Sequence, residues 1–432
     1  MTLTNGMAGN GVPATAVGSD GKAVVVDLVD GMYEGAQFAR AATDTAQGFA
    51  VPGHVETPVA YDAVILAGFG GPEGQDDVIP FLRNVTRGRG IPDERLEQVA
   101  QHYRHFGGVS PINEQNRRLQ AALQVEADRR GLGMPIYWGN RNWDPYLPEA
   151  VQQAYDDGHR VVLGLATSAY SSFSSCRQYR EDFAKALDTT GLWGEMRIDK
   201  VGQFFNSPGF IASFVTGVVD ALRDLISRDS DLATARVLFA THSIPSSDAE
   251  RSGPRDVDWG EGGAYAAQHL AVSAVIMAKA LAALRADDTL GDIPDVEWQL
   301  VYQSRSGPPT QPWLEPDIND AIADHTKAGA TSIVMVPVGF VSDHMEVMWD
   351  LDTEAMETCE EHGVLGLRVP TPGINPVYVS GLIDLIEERL NGTAKNDRAR
   401  ETELPAWYDV CRPGCCENVR AGFKPAISGL QP

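Results

Sequence analysis

The chain has 432 residues, 43% of them hydrophobic, enough for two or three domains with their own cores. Thirty-five basic against fifty-nine acidic residues leave a formal net charge of −24, which repels polyphosphate and anionic lipid and argues against nucleic acid as a partner. No run approaches the ~20 consecutive apolar residues of a membrane span, and five cysteines are too few for a disulfide framework, so a cytoplasmic protein without a transmembrane anchor is expected.

Residues 1–58 are rich in Gly, Ala, Thr and Asp with little periodicity and read as a mostly disordered extension, in which 23–29 suits a short strand or docking segment. Order is expected from Tyr61. There Ala63-Val64-Ile65-Leu66-Ala67 is an apolar run short enough for a buried parallel strand, ending in Gly68-Phe69-Gly70-Gly71-Pro72. Comparable strands are predicted at 136–138, at 160–165 before a Ser-rich loop, at 237–240 before Thr241-His242-Ser243, at 300–302 before Gln303-Ser304, and at 332–340 before Val341-Ser342-Asp343-His344. Helical patterns lie between them over 113–129, 148–157, 268–285 and 345–362. This alternation predicts an α/β protein of two doubly wound halves with parallel sheets, over 59–233 and 234–395, followed by a tail over 396–432. In such folds ligands gather beyond the carboxyl ends of the strands, where the polar clusters fall.

The turn at 68–72 is not a dinucleotide fingerprint, because Pro72 stands where an amide donor is needed. A phosphate-binding P-loop and a G-x-S-x-G nucleophile elbow are also missing. His242 sits at a predicted strand end, and imidazole suits proton transfer near neutrality, although a loop histidine is more often a structural hydrogen-bonding residue. In the helix predicted from Met345, spacings of four, four and three place Glu346, Asp350, Glu354 and Glu357 along one face. That row reads either as a solvated acidic face or as oxygen ligands guiding a hard or borderline cation toward His242 and Glu346.

Thr241-His242-Ser243-Ile244-Pro245, Gln303-Ser304 with Pro312-Trp313-Leu314-Glu315-Pro316-Asp317, and the run from Pro337 to Glu346 stand in the order and spacing of ferrochelatases. Arg87-Gly88-Arg89 and the run from Tyr103 to Pro111 match as well, and the chain resembles that family from about Tyr61 to Leu390. Ser168-Ala169-Tyr170 leading to Cys176-Arg177-Gln178-Tyr179-Arg180 looks most like the actinobacterial branch, whose members generally act on coproporphyrin III. The resemblance implies a lyase of two Rossmann-like, chelatase-type halves. It would insert Fe²⁺ into coproporphyrin III to give coproheme in haem biosynthesis, releasing two pyrrole protons. By similarity His242 and Glu346 take those protons and help ligate the entering iron, with Asp350 and Glu354 along the iron path.

Phe69, where some relatives carry tyrosine, would cover the macrocycle with Trp313 and Phe340, core packing being the competing role for Trp313. Arg83, Arg87, Arg89 and Arg141 are the candidates for its propionates. A protoporphyrin IX ferrochelatase or another tetrapyrrole chelatase is the alternative enzyme. A haem or iron–sulfur carrier or sensor is the alternative of another class, and transient contact with other haem-pathway enzymes is a further expectation.

Cys411, Cys415 and Cys416 crowd into six residues of a polar tail, where three thiols have no core to fill, so ligation of a soft metal centre is expected. The resemblance implies a [2Fe–2S] cluster held by these three and by Cys176. Cys359 is the available substitute, read as a buried helix thiol, and a Cys₄ zinc site is the chemical alternative.

Overall fold

The computed structural model describes residues 14–17, 23–26, 53–88, 90–307, 310–417 and 424–428. Strands β1 (Ala14–Val17) and β2 (Ala23–Val26) come first. Then β3 (Ala63–Gly68) is followed by α1 (Val78–Val85), α2 (Asp93–His105), α3 (Ile112–Arg129), β4 (Ile136–Asn140), α4 (Leu147–Asp156), β5 (Val161–Ala166), α5 (Gln178–Thr190), β6 (Arg197–Lys200) and α6 (Pro208–Ser227). The second half runs through β7 (Ala235–His242), α7 (Gly263–Arg285), β8 (Glu297–Gln303), α8 (Ile318–Lys327), β9 (Ser332–Val336) and α9 (Met345–Trp349). It continues through a π-helical turn at Asp350–Ala355, α10 (Met356–Glu361), β10 (Leu365–Arg368) and α11 (Pro376–Asn391).

Two sheets result. The first has the order β4-β3-β5-β6 and is wholly parallel; the second has the order β10-β9-β7-β8-β1-β2, parallel except for β2. Every residue of β3 is buried, as a central strand covered by helices on both faces requires. Ile65 and Leu66, fully buried, each contribute about 1.5–3 kcal/mol relative to exposure. Helix α11 returns to the first half and packs on α3 and α6. A Cβ on Gly209 of α6 would lie 2.8 Å from Gly381 Cα of α11, so only glycine permits this crossing.

One expectation is corrected. Order begins before Tyr61: His54 is 7% exposed and its Nε2 hydrogen-bonds the Ala406 carbonyl at 2.9 Å, while the Val55 N–H donates to Asp409 Oδ2 at 2.8 Å. Most of the expected extension lies outside the described residues; Ala23–Val26 is a strand within the segment expected to suit one, and Ala14–Val17 is a strand paired with β8. Helix α7 also reaches the length and apolar composition of a membrane span. It is apolar all round because it is packed on several sides, with 67% of its most apolar window buried; Gln268, His269 and Ser273 interrupt the run yet are fully buried.

Candidate active site

β7 carries its apolar residues through the core and delivers His242 at its carboxyl end. The His242 Nδ1–H donates to the Ser243 carbonyl, which leaves Nε2 facing Glu346 Oε1 at 3.6 Å. Glu346 arrives from the other direction, in the first turn of α9, after the loop that follows β9. That loop crosses β7 closely: a Cβ on Gly339 would meet Thr241 Oγ1 at 2.1 Å. The two side chains remain 32% and 48% exposed within their cleft, so desolvation is partial and their attraction decides protonation. Desolvation opposes the charge on both, but each stabilises the other, raising the His242 pKa and holding the Glu346 carboxyl low.

Asp350 is the third member. Burial lifts its pKa to about 7, against the Ser304 hydroxyl that donates to it and with the help of the Glu346 charge. Gln303 Nε2 donates to the same carboxylate at 3.2 Å and to the Glu346 carbonyl at 3.0 Å. Ser304 has φ +63°, a left-handed conformation that costs a non-glycine residue about 1 kcal/mol or more and here places its hydroxyl at Asp350.

The expected single acidic face does not persist. The π-helical turn beginning at Asp350 shifts the helical phase, and Glu354 instead accepts from Trp349 Nε1 at 2.8 Å. Trp349 stacks on His102 of α2 at 4.1 Å, so Glu354 stands where the first half meets the second, and Glu357 is exposed beyond it.

Among the porphyrin-contact candidates, Phe69 packs edge-on against Phe81 and lies 5.9 Å from the Arg141 guanidinium carbon. Arg141, a candidate for the propionates, is already engaged within the protein. Its side chain is 8% exposed, pairs with Asp182 at 2.5 Å and lies over the Tyr179 ring at 4.0 Å. Arg83 pairs with Asp93 at 3.0 Å and Arg87 donates to Asn84 Oδ1 at 2.6 Å, both at the surface where such contacts exchange readily. Arg89 lies outside the described residues. Trp313 is half-buried, and Phe340 belongs to the core beneath α8 and α9 and meets the His344 ring edge-on at 4.9 Å.

Two features escaped the sequence reading. Behind His242, Tyr265 donates its hydroxyl to the His242 carbonyl at 2.9 Å and also meets Thr241 Oγ1 at 2.8 Å. Thr241 in turn contacts His269 Nε2 at 3.0 Å, and burial lowers the His269 pKa to about 3, so that ring is neutral and accepts. His344 caps α9, its Nδ1 accepting from the Glu346 N–H at 3.2 Å. Its position two residues before Glu346 was the available signal.

A second locus gathers four cysteines. Cys176, Cys411, Cys415 and Cys416 form one buried contact cluster, with Cys415 and Cys416 sulfurs 3.9 Å apart and the Gly253 N–H donating to Cys416 Sγ at 3.1 Å. Cys359 lies apart in the core under α8, its thiol pushed up to about 11 by burial. Among the described residues, no three His, Cys, Asp or Glu side chains are arranged to hold a single metal ion.

The Ferrochelatase family model matches residues 61–390, the span that holds β3, His242 and Glu346. The chain belongs to the ferrochelatase family. A relative named coproporphyrin III ferrochelatase from Leifsonia xyli subsp. xyli is 61% identical over 399 residues, covering 90% of this chain and 99% of the relative. Proteins of the same name from Tropheryma whipplei and Streptomyces coelicolor are 54% and 50% identical, covering 86% and 85% of this chain and 93% and 96% of their own lengths. In this ferrochelatase Cys176 falls inside the matched span and the other three clustered cysteines beyond it.

Proposed function

We propose that this ferrochelatase inserts Fe²⁺ into coproporphyrin III to form coproheme in the cytoplasm. The observation that carries the chemistry is the convergence of His242, Glu346 and Asp350 at the carboxyl end of β7. Four ring nitrogens bind the iron and two of them lose protons, while the iron stays ferrous, so the site needs proton acceptors and no reductant. His242 and Glu346 share one proton in the resting site. An approaching cation draws Glu346 away from that proton, which passes to the solvent reaching both partly exposed side chains, and the neutral Nε2 then takes a proton from a pyrrole nitrogen. Asp350, with its pKa near neutrality, serves as a second acceptor and as an oxygen ligand on the way in. Glu354 lies further out on the same path. Coproporphyrin as the substrate is supported by the names of the relatives sharing half or more of the sequence.

Anaerobic assay tests this reading: coproporphyrin fluorescence is lost on adding Fe²⁺ with many turnovers per enzyme, faster than with protoporphyrin IX or sirohydrochlorin. Binding of one porphyrin per chain without turnover would make the protein a carrier.

We further propose that the four clustered thiols hold a [2Fe–2S] cluster. The donor set fits: four buried sulfurs, two for each iron, one of them already receiving an amide N–H. Cys416 has φ +54°, a constrained backbone that brings its sulfur beside that of Cys415. When bound, such a cluster cross-links the tail to the first half. Brown protein bleached by dithionite is expected, with the colour lost in Cys176→Ser and Cys411→Ser and kept in Cys359→Ser. Colourless protein with stoichiometric zinc would replace the cluster with a Cys₄ zinc site.

A further inference from the structure

Two buried cations stand by the segments that carry the cysteine cluster, and among the described residues neither forms an ion pair with a carboxylate. Arg180 of α5 is fully buried. Its Nη1 donates to the Asp409 carbonyl at 3.1 Å and the Ser428 carbonyl at 2.6 Å, while Nε and Nη2 find no oxygen or nitrogen partner among the described residues. Lys200, at the end of β6, is 1% exposed, and its Nζ donates only to the Val201 carbonyl at 2.9 Å and Gln203 Oε1 at 2.7 Å. Neutral oxygens satisfy some of these donors but leave both charges uncompensated, and an unpaired buried charge costs several kcal/mol. Burial disfavours the Arg180 charge, which Cys411, Cys176 and Cys415 sustain; burial likewise disfavours the Lys200 charge, which Cys176 and Cys411 sustain ahead of the Asp409 carboxylate, itself already paired with Arg398 and Arg389.

We propose that Arg180 and Lys200 are the built-in counter-charges of the cysteine site, neutralising the excess negative charge of a metal centre held by four thiolates; this rests on the cluster reading above. The formal arithmetic closes. Two Fe³⁺, two sulfides and four thiolates sum to −2, and Arg180 with Lys200 supplies +2. The one-electron reduced cluster is more negative still, so a nearby cation stabilises it more than the oxidised form and raises the potential. Arg180 does a second job, because the carbonyls it binds belong to the tail that brings Cys411, Cys415 and Cys416. Lys200 binds that segment through its main-chain N–H, which donates to Ser428 Oγ at 3.0 Å. Its Nζ hydrogen-bonds Val201 and Gln203 and none of the described tail residues, so its charge can be removed without cutting one of those hydrogen bonds.

The test measures the cluster directly, in full-length protein purified without oxygen: iron and acid-labile sulfide content, visible circular dichroism, and midpoint potential by dye-mediated dithionite titration. Lys200→Met is expected to shift the potential to a more negative value and to speed bleaching in air, with Lys200→Arg restoring both. Arg180→Met is expected to lose iron and sulfide, and Arg180→Lys to retain part of them. A Lys200→Met protein with wild-type potential and bleaching rate would overturn the counter-charge role while leaving the cluster in place. Wild-type protein lacking iron and sulfide would overturn the cluster reading and this inference with it.

Discussion

The Tyr265 hydroxyl donates to the main-chain carbonyl of His242 at 2.9 Å, so helix α7 holds the site histidine from behind. Tyr265 is itself fixed by its N–H, which donates to Ser252 Oγ at 2.8 Å. Removing the hydroxyl in Tyr265→Phe leaves the ring in the core but frees the His242 carbonyl. The expected cost is about 1–3 kcal/mol in urea unfolding. Steady-state kinetics are expected to show a fall in kcat larger than any rise in KM for the porphyrin, and an unchanged kcat would mean that His242 is positioned without this bond.

Glu346 raises the pKa of His242, and the base form of the ring is the one that accepts a proton. Activity therefore rises with pH as the ring deprotonates. Glu346→Gln removes the attraction, so the acidic limb of the kcat/KM profile is expected to move to lower pH while the maximal rate falls. A limb that moves to higher pH, or does not move, would assign it to another group. His242→Ala is expected to abolish insertion while porphyrin binding, followed by fluorescence quenching, persists.

Asp350 and Glu354 both lie in the π-helical turn, where Gln303 and Ser304 hold Asp350 beside Glu346 while Glu354 accepts from Trp349. Asp350→Asn is expected to raise the KM for Fe²⁺ more than it lowers kcat, with a smaller effect from Glu354→Gln. Equal effects at both positions would restore the uninterrupted acidic row.

Asp409 in the tail is 2% exposed and accepts from Arg398 at 2.8 Å and pairs with Arg389 at 3.0 Å. Burial alone would raise its pKa, but the two guanidinium groups and the Val55 N–H hold it below the ordinary value. A depressed carboxyl pKa stabilises the fold above the unfolded value of about 3.9, and the contribution is lost as pH falls through the folded value. Asp409→Asn would remove the carboxylate that both arginines share, leaving Arg389 only the more distant Asp199 at 3.5 Å and Arg398 only main-chain carbonyls among the described residues, at an expected cost of about 3–5 kcal/mol at neutral pH. Urea unfolding checks this: the difference from wild type shrinks as the pH is lowered below 4. A constant difference across that range would detach it from ionisation.

The sequence made strands legible where burial is continuous. β3, β7 and β9 are apolar runs ending in polar loops, and His242 and Glu346 stand at those ends. β6, with the sequence Arg-Ile-Asp-Lys, gives no such signal because it is a short edge strand that alternates exposed or partly exposed residues with buried ones, Lys200 among them. The π-helical turn after Trp349 has no signature in residue spacing, and the acidic row was extended through it. Arg141 and Phe340 show the same limit: a residue type names a chemistry, while its pairing with Asp182 or its place in the core depends on chain segments far away. The thiols were legible because three of them stand in a polar tail, and the fold brings Cys176 to them across 235 residues from Cys411.

The most direct test of the central claim is anaerobic turnover with coproporphyrin III and Fe²⁺, run on wild type and on Glu346→Gln at the pH optimum of the wild type. Loss of porphyrin fluorescence with appearance of the coproheme absorption over many turnovers is expected in the wild type, and near-total loss of rate with retained porphyrin binding in the variant. A wild-type reaction that stops at one porphyrin per chain, or a variant that turns over at the wild-type rate, would contradict the assignment of metal insertion to the His242–Glu346 pair.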